Sequence, residues 1–546
     1  MTRGVNIILA AWWSEATNSD INIIARQLGK KPRNIVAIAR RCRWGAPMVV
    51  INSPVVWGAG RVSERKSGVS PEMPRVFPTM YWLTCPYLVN HVSRLEGHGE
   101  VTRTKEWLEK SGKAKTMLMA HTRAAQERLA IAHTIDHHKL QQEHPTQWNV
   151  LVNAGIGGAR EKEGIKCLHM HLADYLAGPA GAERMINDNN LSPGTRNPAG
   201  ARALALLLQQ GVDILGCPRC DRSSCISQGC SAERICALDV GTNSCRMLLS
   251  KKQGSNAVRL DAGIQMPRLG AGLSASGHLS TVAINRTLDA LRSLLLQVGL
   301  ADGGANQPAI QAVAVGTQAL RSAVNTDEFL LAAWEELRLP VVVVSGAQEA
   351  RLSFQGVLAG LRQLASPPAL DKVAVLDIGG GSTELVLGTS DGQMLHQISV
   401  PIGAVYLSEQ GTARGMQLNE LVQMAKAALA PVYSSVNKKE HSPFTLIGVG
   451  GTLTSAVAIH LQLTQYDAQL VTGQRISEKC FWQLATKLQD LRPDERRQQP
   501  GLQPERADII IPGMAIALAV LDILAADEMV ICDSDILQGI TEQFMF

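Results

Sequence analysis

Residues 373–387, VAVLDIGGGSTELVL, set an aspartate, three glycines and a second acid between two apolar runs. Gly379, Gly380 and Gly381 carry no side chains to block a bound oxyanion, so several backbone N–H groups can converge on one phosphate. Asp377 and Glu384 flank that turn, where carboxylates can hold a divalent cation or its waters. A glycine-rich hairpin with two solvated acids would show the same letters once, but the pattern recurs. In residues 235–249, ICALDVGTNSCRMLL, Asp239 closes an apolar run and a Gly241-Thr242-Asn243-Ser244 turn leads into the next. Asp239 is thereby a candidate for the same cation. A third turn, Gly448-Val449-Gly450-Gly451-Thr452, follows the apolar FTLI and precedes a predicted helix, as anion-binding glycine turns do. Three such turns point to phosphate chemistry.

These turns need rigid elements to aim them. Each of the first two reads as strand, tight turn, strand, and the units lie about 140 residues apart. Two similar subdomains facing one cleft are therefore expected. Between them, HLSTVAINRTLDALRSLLLQVG has leucines at helical spacing. AIQAVAVGTQALRSAVN reads as a buried strand, a turn and Arg321 at the start of a helix. LPVVVVSGAQEARLSFQGV reads as a β-branched strand, a Ser345-Gly346 turn and Glu349 in the first turn of a helix, where the dipole favours an acid. This alternation predicts an α/β class with helices packed on sheets.

Other donor sets lie upstream. Cys217, Cys220, Cys225 and Cys230 form C-x2-C-x4-C-x4-C, four thiolates that could close around zinc or an iron–sulfur cluster, or a plain cysteine-rich linker. If 166–177 is helical, Cys167 and His171 share one face at a metal-ligand spacing, with Cys42, Cys85, His91 and His121 as candidates to complete a site. Buried free cysteines and surface histidines are the competing reading. Residues 101–143 read as one long charged helical stretch.

A chain of 546 residues is long enough for three domains. Seven of the nine tryptophans precede residue 150, so the two halves are expected to be unlike. A net charge of +5 indicates no nucleic-acid-binding tail and no specific nucleic-acid partner. The apolar stretch Ile7 to Trp13 is too short to span a bilayer, and Met514 to Leu521 fits a buried helix. Eleven cysteines, an odd number without a secretion signal, suggest reduced thiols or metal ligands and a cytoplasmic location.

Two resemblances follow. RCRWGAPMVV, FPTMYWLTCPYLVNHVSRLEGHG and IKCLHMHLADYLAG resemble the bacterial family called domain of unknown function 501, over roughly residues 20–210. That resemblance carries no activity. GTQALRSAVN, SGAQEARLSFQGV, VLDIGGGSTELVLG, PIGAVYLSE, GVGGTLTSAVAI and ERADIIIPGMAIALAVL, in that order, resemble the exopolyphosphatase/guanosine pentaphosphate phosphatase (Ppx/GppA) family. It implies two ribonuclease-H-like subdomains of the actin, heat-shock 70 and sugar-kinase type around a cleft, after a separate α+β N-terminal domain. The expected boundaries are 1–215, a cysteine-rich linker 216–231, and subdomains 232–365 and 366–546.

By resemblance, Glu349 takes the position of the general base that aligns the attacking water. Asp377 and Glu384 take positions linked to magnesium and water, and Arg321 that of a phosphate-binding arginine. Asn243, Ser244, Gly379, Gly380 and Ser382 match phosphate-loop positions. The third turn adds Gly450, Gly451 and Thr452. The chain departs from the family at Gln348-Glu349, where many members have two acids, and at Asp535-Ile536-Leu537-Gln538-Gly539, which replaces Gly-Leu-Arg-Glu-Gly. The implied activity is release of terminal orthophosphate from polyphosphate with magnesium, guanosine pentaphosphate being a competing or additional substrate; a homodimer is implied as well. A phosphotransferase of the sugar-kinase type and a non-hydrolysing alarmone sensor are the alternatives.

Overall fold

Val373 and Val375 face one side of their strand and Ala374, Leu376 and Ile378 the other, and both sides are buried. A strand covered on both faces reads as continuous apolar sequence. Side chains alternate with a period of two. Asp377 therefore shares the face of Val373 and Val375, and the elements that cover that face decide its surroundings.

The computed structural model describes residues 13–32, 34–57, 74–132, 134–159, 164–178, 196–216, 233–254, 256–300, 310–364, 371–436 and 444–545. The chain divides into two units, Met1–Ser231 with Leu330–Pro340, and Ala232–Phe329 with Val341–Phe546. The linker cysteines Cys217, Cys220, Cys225 and Cys230 lie outside the described residues.

In the N-terminal unit, strands β1 (Ser14–Glu15), β2 (Ile35–Arg41), β3 (Pro47–Asn52) and β6 (Tyr81–Leu83) form an antiparallel sheet in the order β1-β2-β3-β6. Strands β4 (Val55–Val56) and β5 (Arg75–Val76) make a separate pair. Its helices are α1 (Asn18–Leu28), α2 (Pro86–Gly97), α3 (Glu100–Lys110), α4 (Ala114–Ile131), α5 (Thr134–Glu143), α6 (Pro145–Asn153), α7 (Leu168–Leu176) and α8 (Pro198–Gln209). The stretch 101–143, read as one helical run, is thus α3, α4 and α5 in succession. Ser111 caps α3 and Ala132 leaves α4 in an extended conformation. Helix α7 packs on α8 and β6.

The second unit contains two sheets of one design. The first joins β7 (Arg234–Val240), β8 (Cys245–Gln253), β9 (Asn256–Gln265), β10 (Ile310–Gly316) and β11 (Val341–Val343) in the order β11-β10-β7-β8-β9. The second joins β12 (Lys372–Ile378), β13 (Thr383–Thr389), β14 (Met394–Val400), β15 (Thr445–Val449), β16 (Arg475–Ser477) and β17 (Glu528–Ile531) in the order β14-β13-β12-β15-β17-β16. In each, an antiparallel meander of three strands is extended beyond its first strand by two parallel ones. The second sheet adds β16, antiparallel, at its edge. This repeated order is the ribonuclease-H-like topology that the family resemblance implies.

The longer helices from here on are α9 (Thr281–Gln297), α10 (Thr326–Leu337, which from Leu330 on groups with the N-terminal unit), α11 (Gly346–Arg362), α12 (Ala404–Arg414), α13 (Leu418–Val436), α14 (Gly451–His460), α15 (Glu478–Asp490), α16 (Ile510–Ile523) and α17 (Ile536–Met545). Shorter helical turns are named by their residues. One face of the second sheet packs on α13, α14, α15 and α16, with α16 buried from Ile510 to Leu521. Among the described residues no helix is long and apolar enough to cross a membrane.

The other face of the second sheet is covered by α11, whose Ala350, Phe354, Val357 and Leu358 pack against Val373, Val375, Val386 and Ile447. Helix α11 follows the first sheet in sequence yet covers the second. Helix α17 does the reverse, packing on β7 and β8. The two helices cross in backbone contact. A Cβ on Gly356 would lie 1.8 Å from the Asp535 carbonyl oxygen, and one on Gly539 would lie 2.0 Å from that of Leu352. Only glycine fits at both positions. Alanine at Gly356 gains about 1 kcal/mol of helix propensity, but overpacking costs about 1–3 kcal/mol or more, and here the obstacle is backbone. The Gly356→Ala protein is therefore expected to unfold at a lower temperature than the parent; an equal or higher midpoint would contradict the crossing.

Candidate active site

The parallel strands β7, β10, β12 and β15 end on a single cleft, the place where ligands bind in such sheets. Asp239 and Asp377 sit near the ends of β7 and β12. Opposite them across their hairpins stand Arg246 and Glu384 respectively. Each hairpin turn closes in the same way. Gly241 N–H donates to the Ser244 carbonyl and Gly379 N–H to that of Ser382, both at 3.0 Å. The residues between are left at the cleft wall: Thr242 and Asn243 on one side, Gly380 and Gly381 on the other. Gly450, Gly451 and Thr452 complete the wall at the N-terminus of α14. Gly450 has φ 92° and ψ 161°, a region open to glycine alone. A Cβ there would also meet the Ile378 carbonyl and Asp377 Oδ1 at 2.9 and 3.0 Å.

Glu349 enters the cleft from the first turn of α11. That turn is held by a capping box: Ser345 Oγ accepts the Gln348 N–H at 3.2 Å, and Gln348 Oε1 accepts the Ser345 N–H at 2.8 Å. Gln348 thus serves the helix end. One turn further along α11, Ser353 donates to Asp377 Oδ2 at 2.7 Å.

Most of the residues expected from sequence line this cleft: Asp239, Asn243, Ser244, Glu349, Asp377, Gly379, Gly380, Gly381, Ser382, Gly450, Gly451 and Thr452. Two stand behind the wall. Arg321, in the last turn of Gln318–Ser322 rather than at a helix start, donates to Glu349 Oε2 at 2.5 Å and to the Val344 carbonyl at 3.0 Å. Glu384 is buried and accepts a hydrogen bond from Ser399 Oγ at 2.7 Å.

Three participants escaped the sequence reading. Arg246 donates to Asp239 at 2.7 Å and also pairs with Asp535. Arg506 lies against Gly451 in the cleft wall. The hairpin register that puts Arg246 opposite Asp239 was readable from the seven-residue offset that also joins Asp377 to Glu384. Arg506 lies in the ERADIIIPGM segment, but nothing in that segment's spacing aims it at the turns. Asp535, on the chain entering α17, is brought in only by the helix crossing.

The cleft is therefore rich in buried acid. Burial pushes the Glu349 carboxyl up to about 7, against the pull of Arg321 and with the help of Asp239 and Asp377. Burial and then Asp535 push Asp377 up to about 6. Burial, Glu349 and Asp377 hold Glu384 well above the carboxylate range, and burial also raises Asp239. Asp239 Oδ1 is buried without a hydrogen-bond partner among the described residues. Such a set of hard oxygen donors fits a magnesium-class ion. The acids do not converge tightly enough to form an all-protein cage among the described residues. Magnesium usually takes one or two carboxylates and keeps its remaining positions for water and phosphate oxygens.

In the N-terminal unit the expected Cys167–His171 pairing does not form. Cys167 is the extended residue before α7 (φ −156°, ψ 151°), outside the helical repeat that would align i with i+4. His171 instead turns into the core, its Nδ1 3.2 Å from Asn197 Oδ1 and its ring 5.8 Å from that of His121. Cys85 is buried at the start of α2, and His91 packs edge-on against Tyr87.

Comparison with known proteins places these features. Residues 227–543 match the Ppx/GppA phosphatase family, and residues 38–186 match DUF501, a protein family of unknown function. The chain is 27% identical over 315 residues to a bifunctional 3-dehydroquinate synthase/phosphatase of Fusobacterium nucleatum, covering 56% of this chain and 45% of that protein. It is 29% identical over 327 residues to exopolyphosphatase 2 of Mycobacterium tuberculosis, covering 56% of this chain and 97% of that one. A crystal structure of the Aquifex aeolicus Ppx/GppA family member aligns at 26% identity and a TM-score of 0.47, over 57% of this chain and 96% of that one.

The raised carboxyl of Glu349 has a consequence for stability. An acid that binds its proton more tightly when folded contributes stability below its unfolded value of 4.5, and that stability is lost as pH rises through about 7. Glu349→Gln removes this titration. Its thermal midpoint relative to the parent is expected to climb between about pH 5 and about pH 8. A difference that stays flat over that interval would show an ordinary carboxylate at Glu349.

Proposed function

From a chain that belongs to the Ppx/GppA phosphatase family, we propose an exopolyphosphatase, a hydrolase that removes terminal orthophosphate from inorganic polyphosphate. Guanosine pentaphosphate, which ends in the same phosphoanhydride, is the competing or additional substrate. The observation that carries this reading is the position of Glu349. It is a carboxylate in the first turn of a helix, its side chain 12% exposed, facing a cleft walled by glycine turns from both sheets.

Hydrolysis of a phosphoanhydride needs an oriented water and neutralisation of charge on the transferred and leaving groups. Glu349 accepts a proton from the attacking water as its oxygen bonds to the terminal phosphorus. The bond from that phosphorus to the bridging oxygen breaks, and the shortened chain departs with the electron pair. Arg321 holds Glu349 in place through its ion pair. Backbone N–H groups of the turns at Thr242–Asn243, Gly380–Gly381 and Gly451–Thr452 receive phosphate oxygens, and Arg506 adds positive charge beside the third turn. Asp377 and Asp239, with Glu384 behind them, would hold magnesium. Magnesium bound there would offset the repulsion between these acids and a polyanionic substrate.

Orthophosphate release from long-chain polyphosphate and from guanosine pentaphosphate, with magnesium, tests the reading. Glu349→Gln should lower the faster of the two rates by roughly 10²–10⁴-fold, and chelation should abolish release. Binding of either compound without release by the parent would replace the hydrolase with a sensor. Because Glu349 acts in its ionised form, kcat/KM should rise with pH through about 7. A profile level over about three pH units centred on about 7 would remove Glu349 from the role of base.

A further inference from the structure

The N-terminal unit gathers three unlike donors that the phosphatase chemistry does not use. Glu96, Cys167 and His169 each offer one ligand atom, and these atoms lie within 4.8 Å of one another. Local structure brings them together. Glu96, in the last turns of α2, accepts the N–H of Leu168, the first residue of α7, and lies 3.1 Å from His169 Nδ1. Cys167 is the extended residue that leads into α7. On the far side of the imidazole, Nε2 lies 3.2 Å from the Val89 carbonyl oxygen and 3.3 Å from Ser93 Oγ.

A carbonyl oxygen only accepts, so in the neutral ring Nε2 carries the proton and Nδ1 turns its lone pair toward Glu96. Two acceptors 3.1 Å apart repel unless positive charge lies between them. That charge is a proton or a metal ion. Zinc bonds of about 2.0–2.2 Å to nitrogen and oxygen, opened to a tetrahedral angle, hold the two ligand atoms about 3.3–3.6 Å apart. The observed 3.1 Å lies a few tenths of an ångström below that range, so the pair opens slightly to admit the ion. A backbone carbonyl on the distal ring nitrogen is the common support of a ligating histidine. Sulfur and imidazole donors select zinc-class ions over magnesium or calcium.

We propose that Glu96, Cys167 and His169 form a binding site for a zinc-class divalent ion, its fourth position open to solvent. All three residues are half-buried, so water reaches the site. Three protein ligands with one open position is the composition of zinc sites that carry a reactive water, rather than of closed structural sites.

The linker cysteines supply thiols of their own, so the test must read Cys167 alone. The full chain, freed of metal with a chelator, is labelled with N-ethylmaleimide with and without added zinc, and labelling of Cys167 is followed by peptide mass spectrometry. Zinc should slow that labelling roughly tenfold or more, because coordination occupies the sulfur that reacts. Magnesium should leave it unchanged. Glu96→Gln keeps an acceptor for the Leu168 N–H and should weaken protection, as should His169→Gln, each by about tenfold or more in the zinc concentration required. Unchanged labelling of the parent with zinc overturns the proposal and leaves the trio holding only a proton. Equal protection in both variants overturns the ligand set.

Discussion

Two helices touching backbone to backbone set the geometry on which the second unit depends. Where α11 and α17 cross, Gly356 and Gly539 leave no room for a single added carbon. Each helix follows one sheet in sequence and covers the other, so their contact ties the two repeats together at a fixed separation. The first turn of α11 carries Glu349, and the chain entering α17 carries Asp535. The crossing thus sets how far Glu349 and Asp535 stand from the glycine turns.

Charge is the second theme of the cleft, and the repeats resolve it differently. In the first hairpin the aspartate faces an arginine, Arg246, which also reaches Asp535. In the second the aspartate faces a glutamate, and both carboxyls are raised, Asp377 by burial and then Asp535, Glu384 by burial, Glu349 and Asp377. Isolated buried charges are costly, and the group ordinarily takes up a proton unless a partner arrives. The second hairpin therefore carries the larger excess of negative charge, whereas in the first Arg246 offsets only part of the burial of Asp239, whose Oδ1 has no hydrogen-bond partner among the described residues. The two repeats thus differ in charge at one register position, arginine at 246 and glutamate at 384.

The N-terminal unit poses a different arrangement of similar physics. Its core buries His121, His171 and Asp174 among hydrogen-bonding partners, while the more accessible donors collect where α2 meets the start of α7. The helix end matters in both units. Ser345 and Gln348 shape the turn that presents Glu349, and the extended Cys167 before α7 displaces a sulfur from the helical face it would otherwise share with His171.

Local chemistry was legible in the sequence. Apolar runs on both sides of Asp239 and Asp377 specify strands, glycines between them specify turns that approach an anion, and Ser345 followed by Gln348 and Glu349 specifies a helix start with an acid in its first turn. Each of these depends on neighbours in the chain. The same reasoning leaves the breaks within the helical stretch 101–143 unmarked, because charged periodic sequence does not show where backbone hydrogen bonds stop. It also paired Cys167 with His171, since spacing predicts a shared face only if both residues lie inside the helix. Arg506, Asp535 and the pairing of Arg321 with Glu349 were beyond it. Those contacts join residues far apart in sequence, and what brings them together is the packing of helices on sheets and the close crossing that two glycines permit. Sequence alone determined which backbone turns could receive phosphate. Tertiary structure decided which charges surround them, because burial and distance, not residue type, set how strongly those charges act.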